Sequence, residues 1–152
     1  MIQRIQSIWL LLAAITIFLL LAIPVISSVQ GSKEFWIQAT GLYQHENGVT
    51  TKLETFRPLY ISVIAVGVMC IAVIFAFKRR TVQKRLCVAL MVMIASLSFW
   101  MFTYAQKIVG GLSAASYNAG VALPVIAIVF CVLAIRGIRK DEQLLRSADR
   151  LR

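Results

Sequence analysis

The chain has a single histidine, His45, next to Glu46, and Glu34 and Glu54 come near it if the segment between them folds back on itself. A histidine with two or three carboxylates is the raw material of a metal site or of acid/base catalysis. A zinc site, however, wants three or four convergent ligands. His45 belongs instead to His45-Glu46-Asn47-Gly48, a turn sequence whose side chains are ordinarily solvated. The three cysteines, Cys70, Cys87 and Cys131, are odd in number, have no Cys-x-x-Cys spacing, and fall in or beside apolar runs. Thiols so placed pack as small hydrophobes. There is no phosphate-binding glycine loop, no nucleophile elbow and no His-Glu-x-x-His. The expectation is a chain that is not an enzyme, with no catalytic residue, cofactor or metal.

What would carry any such residue is apolar. Hydrophobic residues make up 60% of the 152 and charged residues 14%, far from a soluble composition. The apolar residues come in four runs, at about 8–26, 59–77, 86–104 and 117–135. Each approaches the roughly 18 to 20 residues that cross a hydrocarbon core of about 30 Å as a helix. None contains Asp, Glu, Lys, Arg or His. An ionisable group inside a span would point to ion coupling or intramembrane chemistry, and its absence argues against both.

Between the middle two runs lies Lys78-Arg79-Arg80-Thr81-Val82-Gln83-Lys84-Arg85, five basic residues in eight. Such a hinge stays cytoplasmic. With it inside, twelve basic residues fall on the inner side (Arg4, the five of the hinge, Arg136, Arg139, Lys140, Arg146, Arg150 and Arg152) and four outside (Lys33, Lys52, Arg57 and Lys107). The net charge of +10 therefore marks topology, not nucleic-acid binding, and both termini are expected in the cytoplasm. The first run is longer than a signal-peptide core and no Ala-x-Ala site follows it, so it reads as an uncleaved anchor.

Residues 30–58 form the one long polar segment. Phe35–Tyr43 and Val49–Thr55 are rich in aromatic and β-branched residues, and Asn47-Gly48 stands between them. That pattern predicts an extracytoplasmic hairpin. From Gly110 to Gly120 small residues crowd together, and Ala115 with Ala119 and Ser116 with Gly120 have the i,i+4 spacing of a close helix-packing seam. A re-entrant or ligand-lining segment is the other reading, since Asn118 and Pro124 would leave backbone groups available there. The charged tail 138–152 has Leu144, Ala148 and Leu151 on one helical face and is read as a short amphipathic cytoplasmic helix. The fold class expected is thus an all-α membrane protein with four spans, both ends inside, an outer hairpin between the first two spans and a short C-terminal helix.

The opening Met1-Ile2-Gln3-Arg4-Ile5-Gln6 and the closing Lys140-Asp141-Glu142-Gln143-Leu144-Leu145-Arg146-Ser147-Ala148-Asp149-Arg150-Leu151-Arg152 resemble a family of small four-span membrane proteins of the Bacteroidota, classed as a domain of unknown function. The hinge Phe77-Lys78-Arg79-Arg80 with Gln83-Lys84-Arg85-Leu86 is similar to that family's central loop. The resemblance covers essentially the whole chain and implies a bacterial inner-membrane location without an activity. It also directs attention to the cytoplasmic side, where Gln3, Arg4, Gln6, Arg146, Asp149, Arg150 and Arg152 form a candidate interaction surface. The two ends are expected to pack together, with Asp149 accepting from Arg4 or the hinge.

The functional expectation is a non-enzymatic accessory or structural subunit of a membrane complex. Its partners would be the lipid bilayer and either a membrane protein or further copies of the chain, with no nucleic acid. The alternatives are a small oligomeric channel or carrier using the Gly110–Gly120 region, and a lipid-modifying enzyme with an outer site at His45 and Glu46.

Overall fold

The computed structural model describes residues 3–76, 79–106, 108 and 115–149, and the side chains of residues 5–76, 79–106, 108 and 115–143. Four helices, α1 (Gln3–Leu19), α2 (Arg57–Phe75), α3 (Arg80–Ala105) and α4 (Leu123–Asp149), are joined to five strands. The strands are β1 (Ile26–Gln30), β2 (Lys33–Gln38), β3 (Gly41–Glu46), β4 (Val49–Thr55) and β5 (Ala115–Tyr117). The all-α expectation is therefore corrected: the protein is mostly helical but carries a five-stranded sheet. Three stretches, Arg57–Phe75, Arg80–Ala105 and Ala119–Gln143, are long and apolar enough to cross a membrane, and the apolar part of α1, Ile5–Leu19, is shorter.

The first run splits where a helix meets a strand. α1 closes with one tighter turn, in which Leu21 N–H donates to Phe18 O (3.0 Å) and Ala22 N–H to Leu19 O (3.0 Å). Pro24 then bars Ile23 from the helical region and the chain extends into β1. Residues 20–26 are apolar in either conformation, so composition does not reveal the boundary. At the other end, the expected fourth span begins late: Ala115–Tyr117 is a strand, Ala119–Val121 a 3-10 turn, and α4 starts at Leu123 with Pro124 in its first turn, where no N–H is needed. α4 then runs without a break through Gly137 to Asp149, so the separate tail helix is instead the end of this one. A glycine costs a helix only about 1 kcal/mol relative to alanine, and Ile138 just beyond it is fully buried.

α1 packs against α2 and α4, and α3 against the same two. Buried Ala127, Cys131, Ala134 and Ile138 recur on α4 at i, i+4, i+7 and i+11, a mostly small-residue face that lets backbones approach. Trp9 stacks on Phe130 with centroids 5.8 Å apart. A Cβ at Gly67 would lie 2.6 Å from the Phe18 ring, which measures how closely α1 and α2 approach.

The sheet has the order β4-β3-β2-β1-β5, every neighbouring pair antiparallel. The register aligns Ile26, Ile37 and Leu42 in one row and Ser28, Phe35 and Gln44 in the next. Ile26, Ser28, Phe35, Ile37 and Leu42 are all buried, so this face belongs to the core. The expected turn is present, with φ of 50° at Asn47 and 81° at Gly48 as a two-residue hairpin of the primed type requires. The sheet is wider than the hairpin read from sequence because Phe35–Tyr43 folds at Ala39-Thr40 into two strands, and residues 26–30 and 115–117 add one each. β4 is exposed throughout. A bulge between Leu42 and Tyr43 and the charge of Lys52 make that open edge a poor template for further strands. At the base of the sheet Phe56, 1% exposed, stacks on Tyr104 at 4.1 Å, an aromatic pair that ties the sheet's exit to the end of α3.

Candidate functional site

Two of the four buried polar side chains among the described residues, Gln6 and Gln83, lie at the end opposite the sheet, where the hinge lies; the others are Thr16 in α1 and Ser28 in β1. α3 opens with Arg80, Gln83 and Lys84. Gln83 starts the buried stripe Gln83, Cys87, Leu90, Ile94, spaced i, i+4, i+7, i+11. It is 1% exposed, and its Nε2 donates to Val73 O (3.3 Å) in the last turn of α2, a carbonyl that also accepts from Ala76 N–H at the helix end. Arg80 and Lys84, one turn apart, face adjacent acids on α4. Arg80 Nη2 lies 2.9 Å from Asp141 Oδ2 and Lys84 Nζ 2.5 Å from Glu142 Oε2. From α1, Gln6, itself 4% exposed, donates through Nε2 to the same Asp141 oxygen at 3.5 Å. Gly137 makes room for it: a Cβ there would sit 3.2 Å from Gln6 Cγ.

One carboxylate thus receives donors from α1 and from the hinge. The Asp141 side chain is 13% exposed and that of Arg80 24%, against 27% and 26% for Glu142 and Lys84. The inner pair is the more shielded from water, so its charges interact more strongly and are harder to leave unpaired. Arg80 Nη1 and Gln83 Oε1 are also buried, with no hydrogen-bond partner. The outer pair, about a quarter exposed on each side, should contribute less than about 1 kcal/mol. A double-mutant cycle on Lys84→Gln and Glu142→Gln, read by thermal unfolding in detergent, checks this, and a coupling above about 2 kcal/mol would contradict it.

Of the residues expected at this surface, Gln6 is in the cluster. Gln3, Arg4, Arg146 and Asp149 lie on α1 and α4 with side chains outside the described set, and Arg150 and Arg152 lie outside the described residues. Among the described side chains, the acceptor that joins the ends is Asp141. Asp149 is eight residues further along α4, about 12 Å at helical rise. Arg80, Gln83 and Lys84 belong to the hinge read as setting topology, and Asp141 and Glu142 to the closing motif; none was named for the interaction surface. The signal was there: after Glu54 no acid occurs until Asp141-Glu142, so two adjacent acids stand amid the basic residues of one side.

The other candidates come out differently. Ala115 and Ser116 lie in β5 and Ala119 and Gly120 in a 3-10 turn, so the i,i+4 helical spacing does not apply. A close approach does exist at Gly120, whose added Cβ would lie 2.5 Å from Pro24 O, but it is to the segment entering β1. On the sheet, His45 Nδ1 is 3.0 Å from Thr50 Oγ1. Glu34 is opposite His45 in register. Glu46, on the other face, pairs with Lys33 at 2.9 Å and accepts from Gln44 at 2.8 Å. The cysteines are buried and unbonded, one each on α2, α3 and α4. Among the described residues, no three of His, Cys, Asp and Glu are placed to hold a metal.

The fold and its ion-paired end define a mostly helical protein with three helices long and apolar enough to cross a membrane and a small antiparallel sheet. The chain belongs to the family described as Domain of unknown function (DUF4293), matched over residues 2–151, which includes almost all of both terminal motifs. No curated protein matches it.

Proposed function

We propose that this chain is a non-enzymatic accessory subunit of a bacterial inner-membrane assembly, and that the hinge end of its helices is the docking surface. In this reading all four helices span the membrane as a bundle, with both termini and the hinge in the cytoplasm and the sheet outside. The bias of basic residues toward the hinge side supports the orientation. The apolar residues on the outer faces support the membrane: Ile61 is 63% exposed, Phe75 73% and Phe99 72%, and Ile5, Ile8, Leu11, Ile15 and Leu19 form an exposed stripe along α1. Such surfaces suit lipid, not water. At 17 residues α1 is about 26 Å long, and its added turn brings it near the thickness of the core.

The observation that carries the docking reading is the convergence of Gln6, Arg80 and Asp141, which joins the N-terminal helix, the hinge and α4 where α4 leaves the apolar zone. A partner would then meet one fixed surface made of three segments. Affinity purification of the tagged protein from its native host in mild detergent tests this. The expected result is a stoichiometric membrane partner, lost in Asp149→Arg although that variant still inserts. Recovery of the chain alone, or only with itself, would overturn the reading.

A further inference from the structure

The helix faces above the outer ion pair are shaped for an amphiphile. Lys84 of α3 with Arg139, Glu142 and Gln143 of α4 lines a cleft of about 230 Å³ open at the hinge end. Lys84 is committed to Glu142. Arg139 is exposed and makes no ion pair among the described residues, and the same holds for its neighbours Arg136 and Lys140 and for Arg85 next to Lys84. The cleft thus carries a positive charge that nothing described in the protein neutralises, within a rim of three more. Toward the sheet, the same two helix faces turn apolar at once. On α3 the residues four and seven beyond Lys84 are Val88, 50% exposed, and half-buried Met91. On α4 those seven and eleven before Arg139 are Val132, 37% exposed, and half-buried Ile128. Seven to eleven residues of helix span about 10 to 17 Å, close to half the thickness of a bilayer core.

We propose that this α3–α4 groove holds one anionic glycerophospholipid of the leaflet on the hinge side. Its phosphate sits between Arg139 and Lys84, and an acyl chain lies along Val88, Met91, Ile128 and Val132. Arginine suits the phosphate because its planar fork donates two parallel hydrogen bonds, while lysine adds a point charge. Glu142 keeps Lys84 in place and disfavours a second anion, which limits the site to one headgroup. A bare positive surface would attract any anionic lipid diffusely; a charged cleft with apolar residues one to three turns along the same two helices selects a single molecule. The inference rests on the membrane reading, since the ridge meets acyl chains only if α3 and α4 cross the bilayer.

Native mass spectrometry of the purified protein in mild detergent, titrated with phosphatidylglycerol or with phosphatidylcholine of the same acyl chains, tests it. The expected result is a single phosphatidylglycerol adduct at a concentration about ten-fold below that needed for phosphatidylcholine. In Arg139→Gln that preference should vanish, with the melting midpoint unchanged, while Lys52→Gln on the sheet keeps it. Millimolar inorganic phosphate should not displace the lipid. Equal binding of both lipids, a preference retained in Arg139→Gln, or displacement by inorganic phosphate would each overturn the proposal, the last in favour of a soluble-anion site. The membrane reading fails separately, if alkaline carbonate releases the chain from the membrane fraction.

Discussion

Gly120→Ala is expected to lower the melting midpoint in detergent by about 6–12 °C, more than Gly67→Ala or Gly137→Ala. The difference lies in what the new methyl meets. At Gly137 it meets Gln6 Cγ at 3.2 Å, and at Gly67 the Phe18 ring at 2.6 Å, both side-chain atoms that can shift without moving the backbone. At Gly120 it meets only backbone: Pro24 O at 2.5 Å, with Pro24 C and Val25 Cα at 2.9 Å. The chain entering α4 is laced to the chain leaving α1 at this point. Gly120 N–H donates to Pro24 O (3.3 Å), Asn118 N–H to Val25 O (3.0 Å) and Asn118 Nδ2 to Ser27 Oγ (3.1 Å), and Ile26 pairs with Tyr117 in the sheet. Relieving the overlap pushes these segments apart. Overpacking costs about 1–3 kcal/mol, and each hydrogen bond lost adds roughly 1. The sum is about 3 kcal/mol, and for a chain of this size each kcal/mol moves the midpoint by about 2–4 °C. An unchanged midpoint in Gly120→Ala would show that β5 and the 3-10 turn are not held against Pro24 as described.

The same junction explains what the sequence could and could not convey. The apolar runs near 59–77 and 86–104 correspond to α2 and to most of α3, because nothing interrupts helical periodicity there; the hinge between them is itself largely helical, since α3 begins at Arg80. The hairpin turn was legible because Asn47-Gly48 is one of few dipeptides that take positive φ at both positions. The strands flanking the helices were not. Residues 20–26 continue an apolar run into β1, which pairs along its whole length with β2; β5 offers only Ala115-Ser116-Tyr117, and its strand character comes from pairing with β1, Ile26 with Tyr117 across 91 residues of chain. Gly110–Gly120 was read as a helical seam since small residues permit close approach of any two backbones, and the sequence does not name the second one. At the hinge end the meeting of the two ends was expected from the terminal motifs, and Gln6 and Asp141 do meet there; Asp141 can be reached because α4 is one unbroken helix through Gly137, while the side chain of the expected acceptor, Asp149, lies outside the described set.

Asp141→Arg is expected to free the end of α4 while leaving the rest of the fold in place. The variant removes the acceptor of both Arg80 and Gln6 and sets a second guanidinium against the first, whose Nη1 is already enclosed without an acceptor. Breaking a buried pair costs about 3–5 kcal/mol. With Arg80 24% and Asp141 13% exposed, the lower end of that range applies. Asp141→Asn, which keeps the shape and one acceptor, should cost roughly half as much, and reversing the pair as Arg80→Asp with Asp141→Arg should recover part of the loss. Limited chymotrypsin digestion in detergent reads the effect directly, because Leu144 and Leu145 lie on the part of α4 that would detach and none of these variants creates a new chymotryptic site. Cleavage there should rise at least ten-fold in Asp141→Arg and barely change in Glu142→Gln, whose pair with Lys84 is the more solvated. Equal cleavage in both variants would mean that packing around Ile138, not the carboxylate, holds α4 to the hinge. If the hinge end is the docking surface, the two variants also separate its parts: a partner that needs α1, hinge and α4 held together is lost with Asp141→Arg and kept with Glu142→Gln.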